Sequence, residues 1–274
     1  MKNIKIWTNT SVLNNYMEDL IFTDNKECAE VILLGSRHIE LKEFPNLRAI
    51  FRAGVGRDNV PEKECKEKEI LVEYPSEKTL LNLFEETANF TISMIMRMAY
   101  PKLDISLPWK KTNRNGLQSK TCLVIGLGNI GSRVANKLDN LMKVKTFDLT
   151  QNDVSELDLL IKDADFVTLH IPNLPENKNF FSKERLSLLK QGSILINTAR
   201  ANLVNEDDLY ETISEGNIKA AFDVFWEEPY EGKLLEFYPD SFFMSPHVAS
   251  SSIEFFTGCK SDLDNLIKKI IVQP

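Results

Sequence analysis

Several features are missing from this sequence of 274 residues. No apolar run approaches the roughly 20 residues that a membrane-spanning helix needs. The first eight residues carry charge in an alternating pattern and lack the apolar core of a secretion signal. Long runs of Lys or Arg are also absent, and the formal charge is -7, which disfavours nucleic acids and anionic membranes as main partners. We therefore expect a cytoplasmic protein whose ligands are small molecules, with no nucleic-acid and no membrane partner.

Cysteine and histidine are scarce, and their spacing excludes two kinds of site. The four cysteines, at positions 28, 65, 122 and 259, form no C-x-x-C pair and have no neighbouring histidine. They indicate reduced thiols rather than a disulfide framework or a zinc site, so no metal is expected. Only His38, His170 and His247 could exchange a proton near neutral pH.

Glycine is also uncommon, with 11 residues, yet three of them fall at Gly126, Gly128 and Gly131. An apolar run, Cys122 to Ile125, precedes them, and a segment with helical apolar spacing follows. This order of strand, tight turn and helix is typical of a site that brings backbone N–H groups close to a pyrophosphate. Asp148 stands about 20 residues downstream, where a carboxylate can bind a ribose diol. The alternative is a purely structural glycine turn.

Apolar runs alternate with polar or helical segments along the rest of the chain, which predicts an α/β protein of βαβ units. A long helical pattern, Thr79 to Arg97, is expected to cross between two domains. An irregular connection is predicted from Tyr100 to Lys120, and a final amphipathic segment after Ser252 is expected to pack on the first domain. The expected strands are Ile4 to Trp7, Val31 to Leu34, Leu47 to Phe51, Ile70 to Val72, Cys122 to Ile125, Val144 to Asp148, Phe166 to Leu169, Ile194 to Ile196, Ala220 to Phe222 and Phe242 to Met244.

Residues able to do chemistry follow the predicted strands of the second half. His247 and Arg200 each follow the end of a predicted strand, which is the usual position of functional residues in parallel sheets. Arg200 could donate two parallel hydrogen bonds to a substrate carboxylate, and the alternative is that it forms a surface ion pair. Asp223 and Glu228 follow the strand Ala220 to Phe222, and a carboxylate beside a histidine favours the protonated ring. His170 also ends a strand and could be structural or functional, whereas His38, among charges, is expected to be a structural or exposed residue.

Five ordered motifs between about Ala49 and Ser251 resemble those of the D-isomer-specific 2-hydroxyacid dehydrogenases, the family of phosphoglycerate, glycerate and hydroxypyruvate dehydrogenases. They are RAGVGRDNV at 52–60, GLGNIG at 126–131, INTAR at 196–200, AAFDVFWEEP at 220–229 and SPHVAS at 245–250. The resemblance implies two Rossmann-like or flavodoxin-like domains with parallel sheets, in which the cofactor domain is inserted into the substrate domain. It places the substrate domain at 1–83 and 252–274 and the NAD-binding domain at 84–251.

The resemblance also implies roles for individual residues. Arg200 binds the substrate carboxylate and keto oxygen, His247 is the acid/base, and Glu228 pairs with His247. Besides Arg200, the implied substrate-binding residues are Arg52, Val55 and Gly56, the last two through backbone N–H groups. The implied cofactor-binding residues are Gly126, Gly128, Asn129, Ile130, Gly131, Asp148, Pro172, Thr198 and Asp223.

The implied activity is hydride transfer between NAD(H) and a small D-2-hydroxy acid or 2-oxo acid, and the implied assembly is a homodimer. Asp148 favours NAD over NADP, because its charge would oppose a 2′-phosphate. A regulator that senses NAD(H) and binds a protein partner is the alternative hypothesis. Three positions depart from the family pattern: Ala201 replaces a glycine, Arg57 replaces a small or apolar residue, and Ser250 stands near a usual glycine. Segments are also trimmed relative to the family, including the connection around Trp109.

Overall fold

The computed structural model describes residues 4–10, 13–16, 19–100 and 113–272. In this part of the chain, every paired strand runs parallel to its neighbours. The strands are β1 Lys5–Thr8, β2 Ile21–Phe22, β3 Val31–Leu34, β4 Ala49–Arg52, β5 Leu71–Glu73, β6 Thr121–Ile125, β7 Lys143–Phe147, β8 Phe166–Leu169, β9 Ile194–Asn197, β10 Lys219–Phe222 and β11 Phe242–Met244. The α-helices are α1 Glu62–Glu67, α2 Glu77–Ala99, α3 Gly131–Leu138, α4 Val154–Asp163, α5 Lys183–Ser187, α6 Glu206–Ser214 and α7 Ile253–Val272.

The chain divides into two compact units. The first unit is formed by Met1–Leu83 together with Ser251–Pro274, and the second unit is formed by Phe84–Ser250. The first boundary falls inside α2, between Leu83 and Phe84. The second unit is therefore a continuous segment that interrupts the sequence of the first.

The second unit is built on a six-stranded sheet in the order β11-β10-β9-β8-β6-β7. Successive side chains of a strand point to opposite faces, and both faces of this sheet are covered. In β6, Cys122 and Val124 join a core with residues of α2 and α3. Leu123 and Ile125 join a second core with residues of α4 and α6. This double burial explains why β6 is a continuous apolar run instead of an alternating one.

The strand order reverses at β6, because β7 lies on one side of β6 and β8 on the other. In open parallel sheets, ligands bind beyond the carboxyl ends of the strands at such a reversal. The glycine turn follows β6 directly, and His170 follows β8. The topology therefore puts the predicted cofactor turn at the usual binding position of this kind of sheet.

The first unit has a five-stranded sheet in the order β2-β1-β3-β4-β5, which also reverses beside its first strand. Strands β3 and β4 are buried along their whole length. Helix α7 belongs to this unit, and its Asp262 accepts hydrogen bonds from the backbone N–H of Ser76 and the hydroxyl of Thr79, both at 2.8 Å. The last helix thus ties the end of the chain to the start of α2.

The predicted fold class is confirmed: two parallel sheets carry helices, in the flavodoxin-like strand order. Two details were wrong or missed. The sequence interpretation of βαβ units fails in part of the first unit, where the described connections from β2 to β3 and from β3 to β4 contain short 3-10 helices instead of α-helices. Strand β2, only Ile21–Phe22, was missed because two residues carry no periodicity. Of the predicted irregular connection, residues 101–112, including Trp109, lie outside the described residues. No described helix is long and apolar enough to cross a membrane.

Candidate active site

The glycine turn after β6 is shaped by two close contacts and one open side. Gly126 has a φ of +93°, and a Cβ there would lie 2.6 Å from the backbone oxygen of His170. At Gly131 a Cβ would lie 1.9 Å from the backbone oxygen of Gly126. At Gly128, by contrast, a Cβ would meet nothing within 4 Å. The first and last glycines are therefore required by packing, and the middle one leaves its backbone accessible from outside.

Asp148, at the carboxyl end of β7, is bonded to this turn. Its Oδ2 accepts the backbone N–H of Leu127 at 2.7 Å, and its Oδ1 accepts both the backbone N–H and the hydroxyl of Thr150. The hydroxyl of Thr150, followed by the two backbone donors, holds the pKa of Asp148 below its ordinary value. A charged carboxylate therefore stands beside the turn, where a ribose diol could donate to it and a phosphate would be repelled.

The remaining residues of the turn also fit a dinucleotide. Asn129 and Ile130 complete it, and α3 begins at Gly131, so the positive end of the helix dipole faces the open side near Gly128. The side chain of Arg133, in the first turn of α3, donates to the backbone oxygen of Asn129 at 2.5 Å. The Nε of Arg133 also pairs with Glu85 at 2.6 Å, so the accessible backbone and the helix N-terminus are what suit an anionic pyrophosphate.

Pro172 and Thr198, the other implied cofactor residues, follow β8 and β9. The backbone oxygen of Pro172 accepts the side-chain amide of Asn177 at 2.9 Å, which fixes the loop after β8. The hydroxyl of Thr198 lies 2.8 Å from that of Thr91 in α2, and both residues are buried. Thr91 in turn donates to the backbone oxygen of Thr87, so Thr198 is the donor in the pair.

Arg200 is positioned by a residue that the sequence interpretation did not single out, Asn197. This last residue of β9 is fully buried. Its side-chain amide donates to the backbone oxygen of Arg200 at 2.8 Å, and its Oδ1 accepts the backbone N–H of Ala199 at 3.0 Å. Asn197 thus closes a short loop that presents the half-buried Arg200 beyond the strand end. A polar residue ending an otherwise apolar strand was the signal that could have found it.

His247 and Glu228 form a close pair. The Nδ1 of His247 lies 2.9 Å from Oε1 and 3.0 Å from Oε2 of Glu228, and both side chains are about 30% exposed, at 31% and 28%. The backbone of His247 is in the left-handed region, with a φ of +54°. This uncommon conformation for a non-glycine residue turns the ring back from the end of β11 toward Glu228.

Glu228 stays ionised in this pair. Burial raises the pKa of Glu228, but the hydrogen bond and charge of His247, the backbone N–H of Phe225 and the charge of Arg200 outweigh burial and lower it. The Phe225 bond is 3.2 Å long. Three predicted catalytic residues, Arg200, Glu228 and His247, therefore act on one another electrostatically within the second unit.

Asp223 anchors the loop that carries His247. Its Oδ1 accepts the Ser245 hydroxyl at 2.6 Å and the Val248 N–H at 2.9 Å, and its Oδ2 accepts the Ala249 N–H at 2.9 Å. Asp223 is fully buried, and burial raises its pKa despite these donors. The carboxylate thus accepts hydrogen bonds from residues that precede and follow His247 in the sequence, which fixes the loop that carries the ring.

His170 is a structural residue of the turn. Its Nε2 lies 3.0 Å from the hydroxyl of Thr168, and its backbone packs against Gly126. Burial lowers the pKa of His170 to about 3, so the ring is neutral at any working pH. Of the two readings left open by the sequence, the geometry favours the structural one.

This burial has a consequence for stability. The folded-state pKa lies below the unfolded value of about 6.5, so the unfolded chain binds the proton first. The contribution of His170 is full above pH 6.5 and is lost as the pH falls toward 3. We expect His170→Gln to reduce the loss of unfolding free energy between pH 7 and pH 5 by about 1–2 kcal/mol, measured by urea denaturation. His38→Gln, at an exposed histidine, is the matched control, and equal pH slopes in both variants would contradict the assignment.

The predicted substrate loop lies in the first unit, after β4. Val55 is 38% exposed, whereas Arg52 is only 5% exposed. The Nε of Arg52 donates to Oδ1 of Asn59 at 3.1 Å, and the amide of Asn59 donates to the backbone oxygens of Gly35 and Arg37. Arg52 therefore braces the loop from inside, and its predicted contact with substrate stays a prediction.

Taken together, the fold, the glycine turn and Asp148 of the second unit are those of a dinucleotide-binding domain. No group of described residues could hold a metal ion. Residues 103–249 match the family model of the NAD-binding domain of the D-isomer specific 2-hydroxyacid dehydrogenases. The chain belongs to this family, whose cofactor is NAD.

Individual relatives are consistent with membership of this family. A D-3-phosphoglycerate dehydrogenase of Methanocaldococcus jannaschii is 30% identical over 249 residues, which cover 84% of this chain and 47% of that protein. A hydroxypyruvate reductase of Thermotoga maritima is 32% identical over 226 residues, covering 76% and 72%. A D-lactate dehydrogenase from Aquifex aeolicus, solved with NAD and lactic acid, superimposes with a TM-score of 0.77 at 25% identity, covering 97% and 95%. The chain thus spans about half the length of the first relative and most of the other two.

Proposed function

We propose that this protein transfers a hydride between NAD(H) and a small D-2-hydroxy acid or 2-oxo acid. The observation that carries the proposal is the His247–Glu228 pair, in which both carboxylate oxygens lie within 3.0 Å of Nδ1. This contact orients the ring and leaves the other nitrogen, Nε2, to exchange a proton with substrate. Relatives whose names specify phosphoglycerate, hydroxypyruvate and lactate support the same class of substrate.

In the direction of reduction, His247 acts as the acid. With Nδ1–H donating to Glu228, the ionised carboxylate stabilises the protonated imidazole, and Nε2–H gives its proton to the carbonyl oxygen. Arg200 donates parallel hydrogen bonds to the substrate carboxylate and keto oxygen, which polarises the carbonyl. The substrate carbonyl has then gained one hydride on carbon and one proton on oxygen to become the product CH–OH group, and oxidation reverses both transfers.

That the backbone N–H groups of Val55 and Gly56, in the first unit, bind a substrate carboxylate stays a prediction from the family resemblance. Their loop is braced by Arg52 and Asn59, so the donors would be preorganised before substrate arrives. NAD(H), which the glycine turn, Asp148, Pro172, Thr198 and Asp223 would hold, supplies or accepts the hydride when bound. Because Asp148 is charged, we propose NAD rather than NADP as the cofactor used.

The test is NADH oxidation by the purified chain with a panel of 2-oxo acids: glyoxylate, pyruvate, hydroxypyruvate, phosphohydroxypyruvate, oxaloacetate and 2-oxoglutarate. We expect turnover with at least one acid, and a parallel titration of NADH by fluorescence reports cofactor binding. Tight NADH binding without turnover of any acid would contradict the proposal and favour a regulator that senses NAD(H). Absence of both would contradict both functions.

A further inference from the structure

The segment after β7 carries a threonine, Thr150, whose side chain holds the carboxylate of Asp148. The hydroxyl of Thr150 donates to Oδ1 of Asp148 at 2.6 Å, and the backbone N–H of Thr150 donates to the same oxygen at 2.9 Å. The other oxygen, Oδ2, accepts the backbone N–H of Leu127 in the glycine turn at 2.7 Å. The carboxylate is therefore held by the turn through one oxygen and by Thr150 through the other, and it cannot rotate without losing a hydrogen bond.

The hydroxyl of Thr150 acts on the charge of Asp148 as well as on its orientation. Thr150 is exposed, whereas Asp148 is half-buried. Of the donors that hold the pKa of Asp148 below its ordinary value, the Thr150 hydroxyl has the largest effect. Hydrogen bonds to an ionised oxygen are short and strong, so this contact favours one orientation of a charged carboxylate.

The backbone donors of the same segment point inward. Four of the five backbone N–H groups of residues 148–152 donate within the segment itself. That of Asp148 donates to Oδ1 of Asn152, that of Thr150 to Oδ1 of Asp148, and those of Gln151 and Asn152 to the backbone oxygen of Asp148. The segment therefore offers a ligand mainly acceptors. Acceptors suit the hydroxyls of a ribose, which can donate, and oppose a phosphate, whose oxygens accept.

We propose that Thr150 is a positioning residue that acts through Asp148 and strengthens the preference for NAD(H) over NADP(H). A carboxylate can accept about four hydrogen bonds, and three positions are filled by Thr150 and Leu127, so one stays open to a ribose hydroxyl. A 2′-phosphate would meet the same charge in a fixed orientation, from which the carboxylate cannot turn away. This inference rests on the proposed use of NAD and does not depend on which acid is reduced.

Fluorescence titrations of the purified chain with NADH and with NADPH give both Kd values without any turnover. We expect the wild type to bind NADH more tightly, and Thr150→Val, which keeps the side-chain shape and removes the hydroxyl, to lower the ratio of the NADPH Kd to the NADH Kd by about 3–10-fold. Thr150→Ser restores a hydroxyl and should bring the ratio back to within about twofold of wild type. Thr146→Val, at an exposed threonine of β7, is the matched control and should change the ratio by less than about twofold.

A double-mutant cycle tests whether Thr150 acts through Asp148. In an Asp148→Ala background the carboxylate is absent, so Thr150→Val should change the ratio by less than about twofold. An unchanged ratio in Thr150→Val alone, or the same change in both backgrounds, would overturn the inference and leave the proposed hydride transfer standing. If the wild type binds neither nucleotide, the proposed use of NAD fails and the inference fails with it.

Discussion

Replacing His247 with Asn should lower kcat for NADH-dependent reduction by about 10²–10⁴-fold while the Kd for NADH stays within about threefold. The variant loses the proton donor, whereas the glycine turn and Asp148 remain intact. Asn keeps a hydrogen-bonding side chain at a position whose φ is +54°, a backbone conformation that Asn tolerates. The loss of turnover should therefore reflect chemistry and not a collapsed loop.

Glu228→Gln separates orientation from charge in the same pair. Gln can still accept a hydrogen bond from His247, but it lacks the negative charge that stabilises the protonated ring. Reduction needs that protonated ring, so kcat for reduction should fall by roughly 10–100-fold in this variant. Steady-state rates with saturating NADH measure the loss. An unchanged kcat in either His247→Asn or Glu228→Gln would remove the pair from the mechanism.

Gly131→Ala should lower the stability of the fold, whereas Gly128→Ala should lower the affinity for NADH. A Cβ at Gly131 would lie 1.9 Å from the backbone oxygen of Gly126, which can move only with the turn. We expect Gly131→Ala to lower the free energy of unfolding by about 2–4 kcal/mol and Tm by roughly 5–15 °C. Differential scanning calorimetry of the full chain without cofactor measures both.

Gly128→Ala is the matched variant, because a Cβ there meets nothing within 4 Å. Its Tm should stay within about 2 °C of wild type. Its affinity for NADH should fall by about tenfold or more, since the methyl group occupies the side from which a pyrophosphate approaches the backbone. A Gly128→Ala variant that binds NADH as tightly as wild type would show that the cofactor does not lie against this turn.

Much of this site can be predicted from local sequence. A strand buried on both faces appears as a continuous apolar run, and the residue after such a run lies at the carboxyl edge of a parallel sheet. Gly126, Arg200 and His247 could be found in this way, as could the parallel α/β fold. Short elements without periodicity could not, and β2 and the 3-10 connections of the first unit are the examples.

Side-chain contacts between distant segments also escape local patterns. Asn197 appears in the sequence as the end of a strand, and only the folded loop shows that it binds both Ala199 and Arg200. Arg52 ends β4 and Arg57 lies five residues later in the loop that follows, yet one is buried against Asn59 and the other is exposed over Tyr74. Which of two nearby arginines faces solvent depends on the neighbouring strands, which the sequence of the loop does not contain.

The sequence by itself determined the glycine turn, the succession of the longer strands along the chain and the identity of each residue that could do chemistry. These features follow from periodicity, spacing and side-chain type. Tertiary structure decided which of those residues act together. The Nδ1 of His247 meets Glu228, 19 residues earlier, because Asp223 binds Ser245, Val248 and Ala249 and fixes the loop that carries His247. Contacts of this kind depend on where parallel strands end in space, and the turn at 126–131 becomes a binding site only where β7 and β8 lie on opposite sides of β6.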